Sequence, residues 1–217
     1  MAVANDERWC WVGDRALLRI VPLGTDAAAL AVANRTARAL AETIHGAALD
    51  EVEEVIPGAS SVLVVLRSGA DASPSLCALL AGPIDAPAAR AGRLHRIAVR
   101  YDGPDLVEVA RLHAIAPDEL VRRHAGADYT VGFIGFSPGF PYLIGLPAEL
   151  ATPRLATPRT RVPAGSVAIG GAFAGIYPSA TPGGWRLIGR TDVALFDPNR
   201  DPPALLAPGD HVRFVVR

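Results

Sequence analysis

From residue 131 onward the chain carries 12 Pro and 12 Gly in 87 positions, against 7 Pro and 9 Gly in the first 130. Each Pro removes a backbone donor and fixes φ, and each Gly weakens a helix interior, so no long helix survives in such a stretch. Short apolar runs stand between these breakers, at 129–136, 166–169, 185–188, 193–196 and 211–216. Turns such as Thr181-Pro182-Gly183-Gly184 and Pro208-Gly209-Asp210 separate them. Many short strands at this spacing predict a β-barrel.

The first part of the chain reads differently. Runs at 8–12 and 16–20 flank Gly13-Asp14, a dipeptide suited to a tight hairpin turn. From Asp26 the apolar positions Leu30, Ala33, Ala37, Leu40 and Ile44 recur every three or four residues, with Thr25 as N-cap and Gly46 just past the end, which predicts a helix. Strands follow at 51–56, closed by Pro57-Gly58, and at 61–66, and Ser73-Pro74 opens a second helix. The order ββαββα suits a small α+β domain over residues 1–85. Residues 81–93 are rich in Ala, Pro and Gly with no hydrophobic period, so they are read as a linker. The second domain then spans 94–217, opening with a strand at 97–101 and two short helices, 104–113 and 117–124, that meet at Ala116. The overall class is α+β.

Composition and missing residues exclude whole chemistries. Half of the 217 residues are hydrophobic and 20% are charged, enough apolar surface for a folded core. Net charge is −1; residues 131–217 carry 8 Arg and 5 acids, residues 1–130 carry 13 Arg and 17 acids. Neither balance provides a general field for phosphate backbones or anionic lipid, so no nucleic-acid or membrane partner is expected, and a soluble cytoplasmic protein is. All 21 basic residues are Arg, and there is no Lys and no Gln. This chain therefore has no Walker-type lysine, Schiff base, Ser-Lys dyad or covalently bound biotin. Cys10 and Cys77 lack CxxC spacing and are read as buried free thiols. His45, His95, His113, His124 and His211 never fall at i, i+4, so no metal site is expected.

Three local patterns carry competing readings. Gly135-Phe136-Ser137-Pro138-Gly139 matches a G-x-S-x-G nucleophile elbow, but Pro138, Gly139 and Pro141 forbid the helix that such an elbow needs after its Ser, so a structural turn is preferred. Residues 105–124 resemble a helix-turn-helix with Arg122, Arg123 and His124 at its tip. The second helix, however, begins with two acids and is short, so an ordinary helical hairpin is preferred. The repeat Ala-Thr-Pro-Arg at 151–154 and 156–159, followed by Arg161, is either a solvated loop or a Pro-stiffened frame that holds planar guanidinium forks toward an anion.

Longer motifs carry a family resemblance. Gly135-Phe136-Ser137-Pro138-Gly139-Phe140-Pro141-Tyr142-Leu143, Pro153-Arg154, Pro158-Arg159, Val162-Pro163-Ala164-Gly165-Ser166-Val167-Ala168-Ile169, Gly175-Ile176-Tyr177-Pro178 and Pro182-Gly183-Gly184-Trp185 through Ile188-Gly189-Arg190-Thr191 resemble the B subunits of bacterial ATP-dependent 5-oxoprolinase. Tyr101-Asp102-Gly103-Pro104-Asp105-Leu106 fits as well, and the likeness is weakest over residues 1–90. That family also holds proteins called allophanate hydrolase subunit 1 and Kip-type inhibitors of a sensor histidine kinase.

The resemblance implies a small α+β domain followed by a cyclophilin-like β-barrel. It further implies work with subunits C and A to open the lactam 5-oxoproline to glutamate, with ATP bound together with the partner subunit and no activity of this chain alone. Under it, Arg159 and Arg154 are the catalytic candidates, and Phe140, Tyr142, Tyr177, Trp185 and Arg190 the substrate-binding ones; as aromatics among Gly and Pro, the first four read equally well as barrel core or subunit interface. The alternatives it carries are a Kip-type binding protein and half of a urea- or allophanate-type carboxyltransferase. Where the family often has Gln-Thr before Gly-Ile-Tyr-Pro, this chain has Phe173-Ala174, which replaces two hydrogen-bonding side chains by apolar ones.

Limited proteolysis is expected to cut first within residues 81–93 and leave a C-terminal fragment from about Leu94, because that stretch has no periodic apolar anchors. Stable cleavage only at the far termini would count against two domains.

Overall fold

The computed structural model describes residues 9–21, 27–83 and 92–217 and falls into two units, Met1–Arg90 and Ala91–Arg217. In the first unit β1 (Trp9–Val12) and β2 (Ala16–Ile20) form a hairpin, followed by α1 (Ala27–Gly46), β3 (Val52–Pro57), β4 (Ser61–Leu66) and α2 (Pro74–Ala81). The four strands make one antiparallel sheet in the order β1-β2-β4-β3. In β4 every second side chain, Val62, Val64 and Leu66, is buried, the period expected of a strand covered on one face. Ala33, Ala37, Leu40 and Ile44 of α1, at helical spacing, join them in one core with Leu76 and Leu80 of α2. The Ser73 hydroxyl accepts the Leu76 N–H at 3.1 Å and so caps α2. The expected order ββαββα is the observed one. The N-cap expected at Thr25 and residues 84–91 of the expected linker lie outside the described residues. Cys10 and Cys77 are free but only half-buried, a correction to their reading as buried thiols.

The second unit contains β5 (Leu94–Val99), α3 (Leu106–Leu112), α4 (Pro117–Gly126), β6 (Tyr129–Ile134), β7 (Pro141–Ile144), β8 (Arg159–Val162), β9 (Ser166–Gly170), β10 (Phe173–Ile176), β11 (Thr181–Gly183), β12 (Arg186–Arg190) and β13 (His211–Val216). Seven strands form one sheet in the order β12-β9-β10-β7-β6-β13-β5, while β8 pairs with β11. Only the β13–β5 pair in that sheet is parallel. The two edges of the sheet then meet. Arg100, just after β5, and Arg190, at the end of β12, exchange backbone hydrogen bonds of 2.9 and 2.8 Å. The Gly103 N–H reaches Ile188 O at 3.2 Å and the Asp105 N–H reaches Leu187 O at 2.9 Å. The result is a nearly closed barrel, which removes the unpaired edges of an open sheet. Val99, Val131, Leu143, Val167, Ile169, Ile176, Ile188 and Val212 fill it.

Backbone approaches so closely at this seam that Gly103 has no room for a side chain: a Cβ there would sit 2.4 Å from Ile188 C and Leu187 O. Strands β7, β8, β10 and β11 were not anticipated, since they are three or four residues long, and β7, β10 and β11 also begin with or contain Pro or Gly. The stretch 193–196 forms no strand. It holds a single bridge, Phe196 to Ala204, and the buried Leu195 side chain anchors it as a loop.

In helix α4 the basic residues at the C-terminal end are engaged by an acid of the same helix. Glu119 binds Arg122 through two bonds of 2.7 and 2.6 Å and Arg123 through one of 2.6 Å, and these hydrogen bonds hold its carboxyl down at about 2. The basic tip is thus paired within its own helix. His124 is fully buried, stacked on Phe214 at 4.8 Å, with Nδ1 hydrogen-bonded to the Tyr101 hydroxyl at 2.8 Å and no partner for Nε2 among the described residues. Burial pushes its pKa down to about 3, so it stays neutral in the folded protein.

In the unfolded chain this imidazole takes a proton near its ordinary value, so the unfolded state binds more protons as pH falls below about 6.5. Stability is expected to be complete above that pH and to fall toward the folded-state pKa of about 3. The slope due to this one group is about 1.4 kcal/mol per unit. Denaturant midpoints between pH 7 and pH 5 test this: His124→Phe should flatten the slope, and an unchanged slope would remove His124 as its source.

Candidate functional site

The 151–158 segment is pinned to the barrel at both ends. Thr152 exchanges backbone hydrogen bonds of 3.1 and 2.8 Å with Gly171, and the Leu155 N–H donates to Gly184 O at 2.7 Å. The Thr152 hydroxyl donates to Leu150 O at 2.8 Å and therefore accepts from His113 Nε2 at 2.9 Å. Arg154 lies between these anchors with its guanidinium 5.7 Å from the centre of the Trp185 ring. Among the described residues no carboxylate pairs with it. A guanidinium within about 6 Å of an indole centre is attracted by the ring face, and one without a carboxylate partner can take an anion through two parallel bonds.

Below Arg154 is an aromatic floor. Phe140 stands edge-on to Tyr142, Tyr177 and Trp185 at 5.2, 5.1 and 5.3 Å. Phe140, Tyr177 and Trp185 are buried, and Tyr142 is half-buried. Trp185 packs against the backbone of β9, where a Cβ on Gly170 would lie 2.4 Å from the indole. Burial raises the pKa of both tyrosines. Arg154 counters this at Tyr142, and the Trp185 backbone N–H does so more strongly than Arg154 and Arg159 at Tyr177. Both phenols remain protonated at neutral pH and can donate hydrogen bonds. Phe173 adds a further edge, at 5.6 Å from Tyr142 and 6.0 Å from Phe133, while Ala174 is fully buried.

Arg159 belongs to the same face but is already engaged. It sits in β8, not in a solvated loop, and donates to Asp105 Oδ1 at 2.7 Å and to Trp185 O at 3.4 Å. The Asp105 side chain is only 6% exposed, and its second oxygen accepts the Leu187 N–H at 2.6 Å. No sequence signal marked Asp105 as a partner of Arg159, because 54 residues separate the two and only the barrel seam brings them together. Arg161, two residues further along β8, is exposed.

Arg190 lies elsewhere. It pairs with Asp102 at 2.7 Å, both well exposed, and lines a cleft of about 480 Å³ at the seam with Gly103, Pro163, Ser166, Thr191 and Asp192. The structure thus gathers Arg154, Arg159, Phe140, Tyr142, Tyr177 and Trp185 on one face and places Arg190 apart from them. Ser137 Oγ is buried with no hydrogen-bond partner among the described residues, so no base stands beside it as an elbow would require. Among the described residues no three His, Cys, Asp or Glu side chains converge on a metal position.

The sequence and fold of the chain recur in known proteins. A family model described as carboxyltransferase domain, subdomain C and D, matches residues 8–206. The 5-oxoprolinase B subunit of Escherichia coli O157:H7 is 46% identical over 172 residues, covering 77% of this chain and 79% of that protein. The chain belongs to the family of 5-oxoprolinase B subunits. The B subunit of Haemophilus influenzae is 56% identical over 128 residues, 58% of this chain and 60% of that one.

Among solved structures TTHA0988 superposes with TM-score 0.79 at 38% identity over 94% of this chain, although the chain spans only 40% of that protein's length. Kluyveromyces lactis urea carboxylase superposes with TM-score 0.76 at 21% identity over 96% of this chain and 21% of its own, a likeness of fold alone. The α+β domain followed by a nearly closed barrel is therefore a fold that the B subunits of 5-oxoprolinase share with carboxyltransferase domains.

Removing Arg159 leaves the nearly buried Asp105 carboxylate with only the Leu187 N–H to satisfy it. Arg159→Ala is expected to cost about 2–3 kcal/mol of stability, below the full cost of a broken buried pair because the Arg159 side chain is 28% exposed. Arg154→Ala and Ser137→Ala should each stay within about 1 kcal/mol, since neither breaks a hydrogen bond or ion pair. Chemical denaturation checks the ranking, and an Arg159→Ala variant as stable as the other two would dismiss the Asp105 pairing.

Proposed function

We propose that the chain is the B subunit of an ATP-dependent 5-oxoprolinase, acting with subunits C and A to open 5-oxoproline to glutamate. The observation that carries this reading is the 46% identity to a protein of that name over 77% of the chain. The site is compatible with it. 5-Oxoproline offers a carboxylate and a flat lactam ring; Arg154 takes the carboxylate, the Tyr142 hydroxyl lies beside Arg154, and the aromatic floor excludes water beneath the ring. Arg159, held by Asp105, supplies a second fixed positive charge on the same face. Its preorganisation suits stabilisation of charge that develops on the lactam oxygen as the ring opens.

The described residues do not fit a nucleoside triphosphate by themselves. Helices α2 and α4 start at Ser73-Pro74 and Ala116-Pro117 and α3 at Asp105, none of them behind a Gly-rich strand-to-helix turn, and the chain has no Lys. ATP is therefore assigned to the assembled complex. A cytoplasmic location follows from this assignment. Among the described residues no helix is long and apolar enough to cross a membrane.

Co-purification with the products of neighbouring subunit genes, followed by an assay of glutamate formed from 5-oxoproline with ATP, tests the proposal. The complex is expected to turn over and the purified single chain is not. Arg154→Ala should raise KM for 5-oxoproline about tenfold or more, the loss of a charge-assisted carboxylate contact. Absence of ATP-dependent turnover in a complex of verified assembly would sink the enzyme reading in favour of a pure binding protein.

A further inference from the structure

Phe136 occupies backbone space that a bulky L-residue rarely enters. Its φ is +67°, and the Ser137 N–H folds back onto Gly135 O at 2.8 Å, so the residue is the centre of a γ-turn with positive φ, the rare and strained form. Among the described residues the other non-glycine residues with positive φ, Ala48 and Ala114, sit just past the ends of α1 and α3, where left-handed caps are ordinary. Phe136 ends no helix. The turn is held from both sides: the Phe140 N–H donates to Ser137 O at 3.0 Å and the Gly135 N–H to Phe140 O at 3.2 Å.

Burial does not offset this strain, since the Phe136 side chain is 60% exposed. The ring instead stands at the edge of the aromatic floor, edge-on to Phe140 at 5.4 Å and to Tyr177 at 6.2 Å. Tyr177 in turn feels the charge of both Arg154 and Arg159. A strained backbone that presents an exposed aromatic ring at the edge of the aromatic cluster on which Arg154 lies becomes useful when something covers the ring.

We infer that Phe136 is a substrate-contact residue, whose ring lies against the apolar face of a small cyclic amide while Arg154 holds that molecule's carboxylate. The inference rests on the lactam reading proposed above and adds to it a specificity element: a linear dicarboxylate of the same charge has no ring face to meet Phe136. The site thereby favours the cyclic acid over its opened product.

Equilibrium binding of labelled 5-oxoproline and of glutamate, to the chain alone and to the assembled complex, tests this with Phe136→Gly, Phe136→Ala and Phe136→Tyr. Phe136→Gly and Phe136→Ala should weaken 5-oxoproline about tenfold and glutamate far less, and Phe136→Tyr should restore wild-type binding. Phe136→Gly, which relieves the backbone, should keep or raise the thermal midpoint, so lost binding is not lost folding. Unchanged affinity in the Gly and Ala variants would overturn the inference. So would lost stability or lost subunit assembly with affinity intact, which makes Phe136 a core or partner contact, or failure of the wild type to bind 5-oxoproline. Binding that responds as expected without turnover sinks the enzyme reading alone, and turnover with an unaltered KM in Phe136→Ala sinks this inference alone.

Discussion

The backbone pairing of Arg100 with Arg190 joins the two ends of a seven-stranded sheet, and the positions of the polar groups of the C-terminal unit follow from that closure. It brings the segment 100–105 against β12 closely enough to demand Gly103, and it seats the Asp105 carboxylate on the Leu187 N–H. An acid removed from water in this way needs a cation, and Arg159 is the one that reaches it. Barrel closure and the orientation of an arginine on the candidate site are thus a single hydrogen-bonded unit. A change at the seam is felt by both.

On the same face the two arginines have different duties. Arg159 is spent largely on a buried carboxylate, which fixes its direction but occupies part of its fork. Arg154 lies 5.7 Å from the centre of the Trp185 indole between two backbone anchors and has no carboxylate partner among the described residues. The Pro-rich frame makes this possible: with φ fixed at Pro153 and Pro158, a short loop can hold a charged side chain in place without burying it. A chain with 21 Arg and no Lys supplies planar, permanently charged forks and no lysine amine, which suits the orientation of anions and charge stabilisation.

Elements with strong local patterns were legible without coordinates. The α1 periodicity, the Ser73-Pro74 cap of α2, the two short helices meeting at Ala116 and the strand at 211–216 all appear where hydrophobic period and capping chemistry place them. The strands β7, β8, β10 and β11 were missed because each is only three or four residues long, too short to display an alternating pattern of its own, and is held by its pairing with neighbouring strands. The opposite error, a strand at 193–196, arose because an apolar run was read without knowing that Leu195 is the part the core needs and that no partner strand lies beside it.

The family of the chain, its order of α+β and β-rich halves and the lysine-free chemistry open to it are properties of the linear sequence, since motif, hydrophobic period and composition are local quantities. The grouping of Arg154 and Arg159 with Phe140, Tyr142, Tyr177 and Trp185, the separation of Arg190 from them, the Asp105 partnership and the left-handed turn at Phe136 were decided by the tertiary structure. Each depends on which strands become neighbours when the barrel closes, and that pairing joins residues tens of positions apart that no local pattern relates.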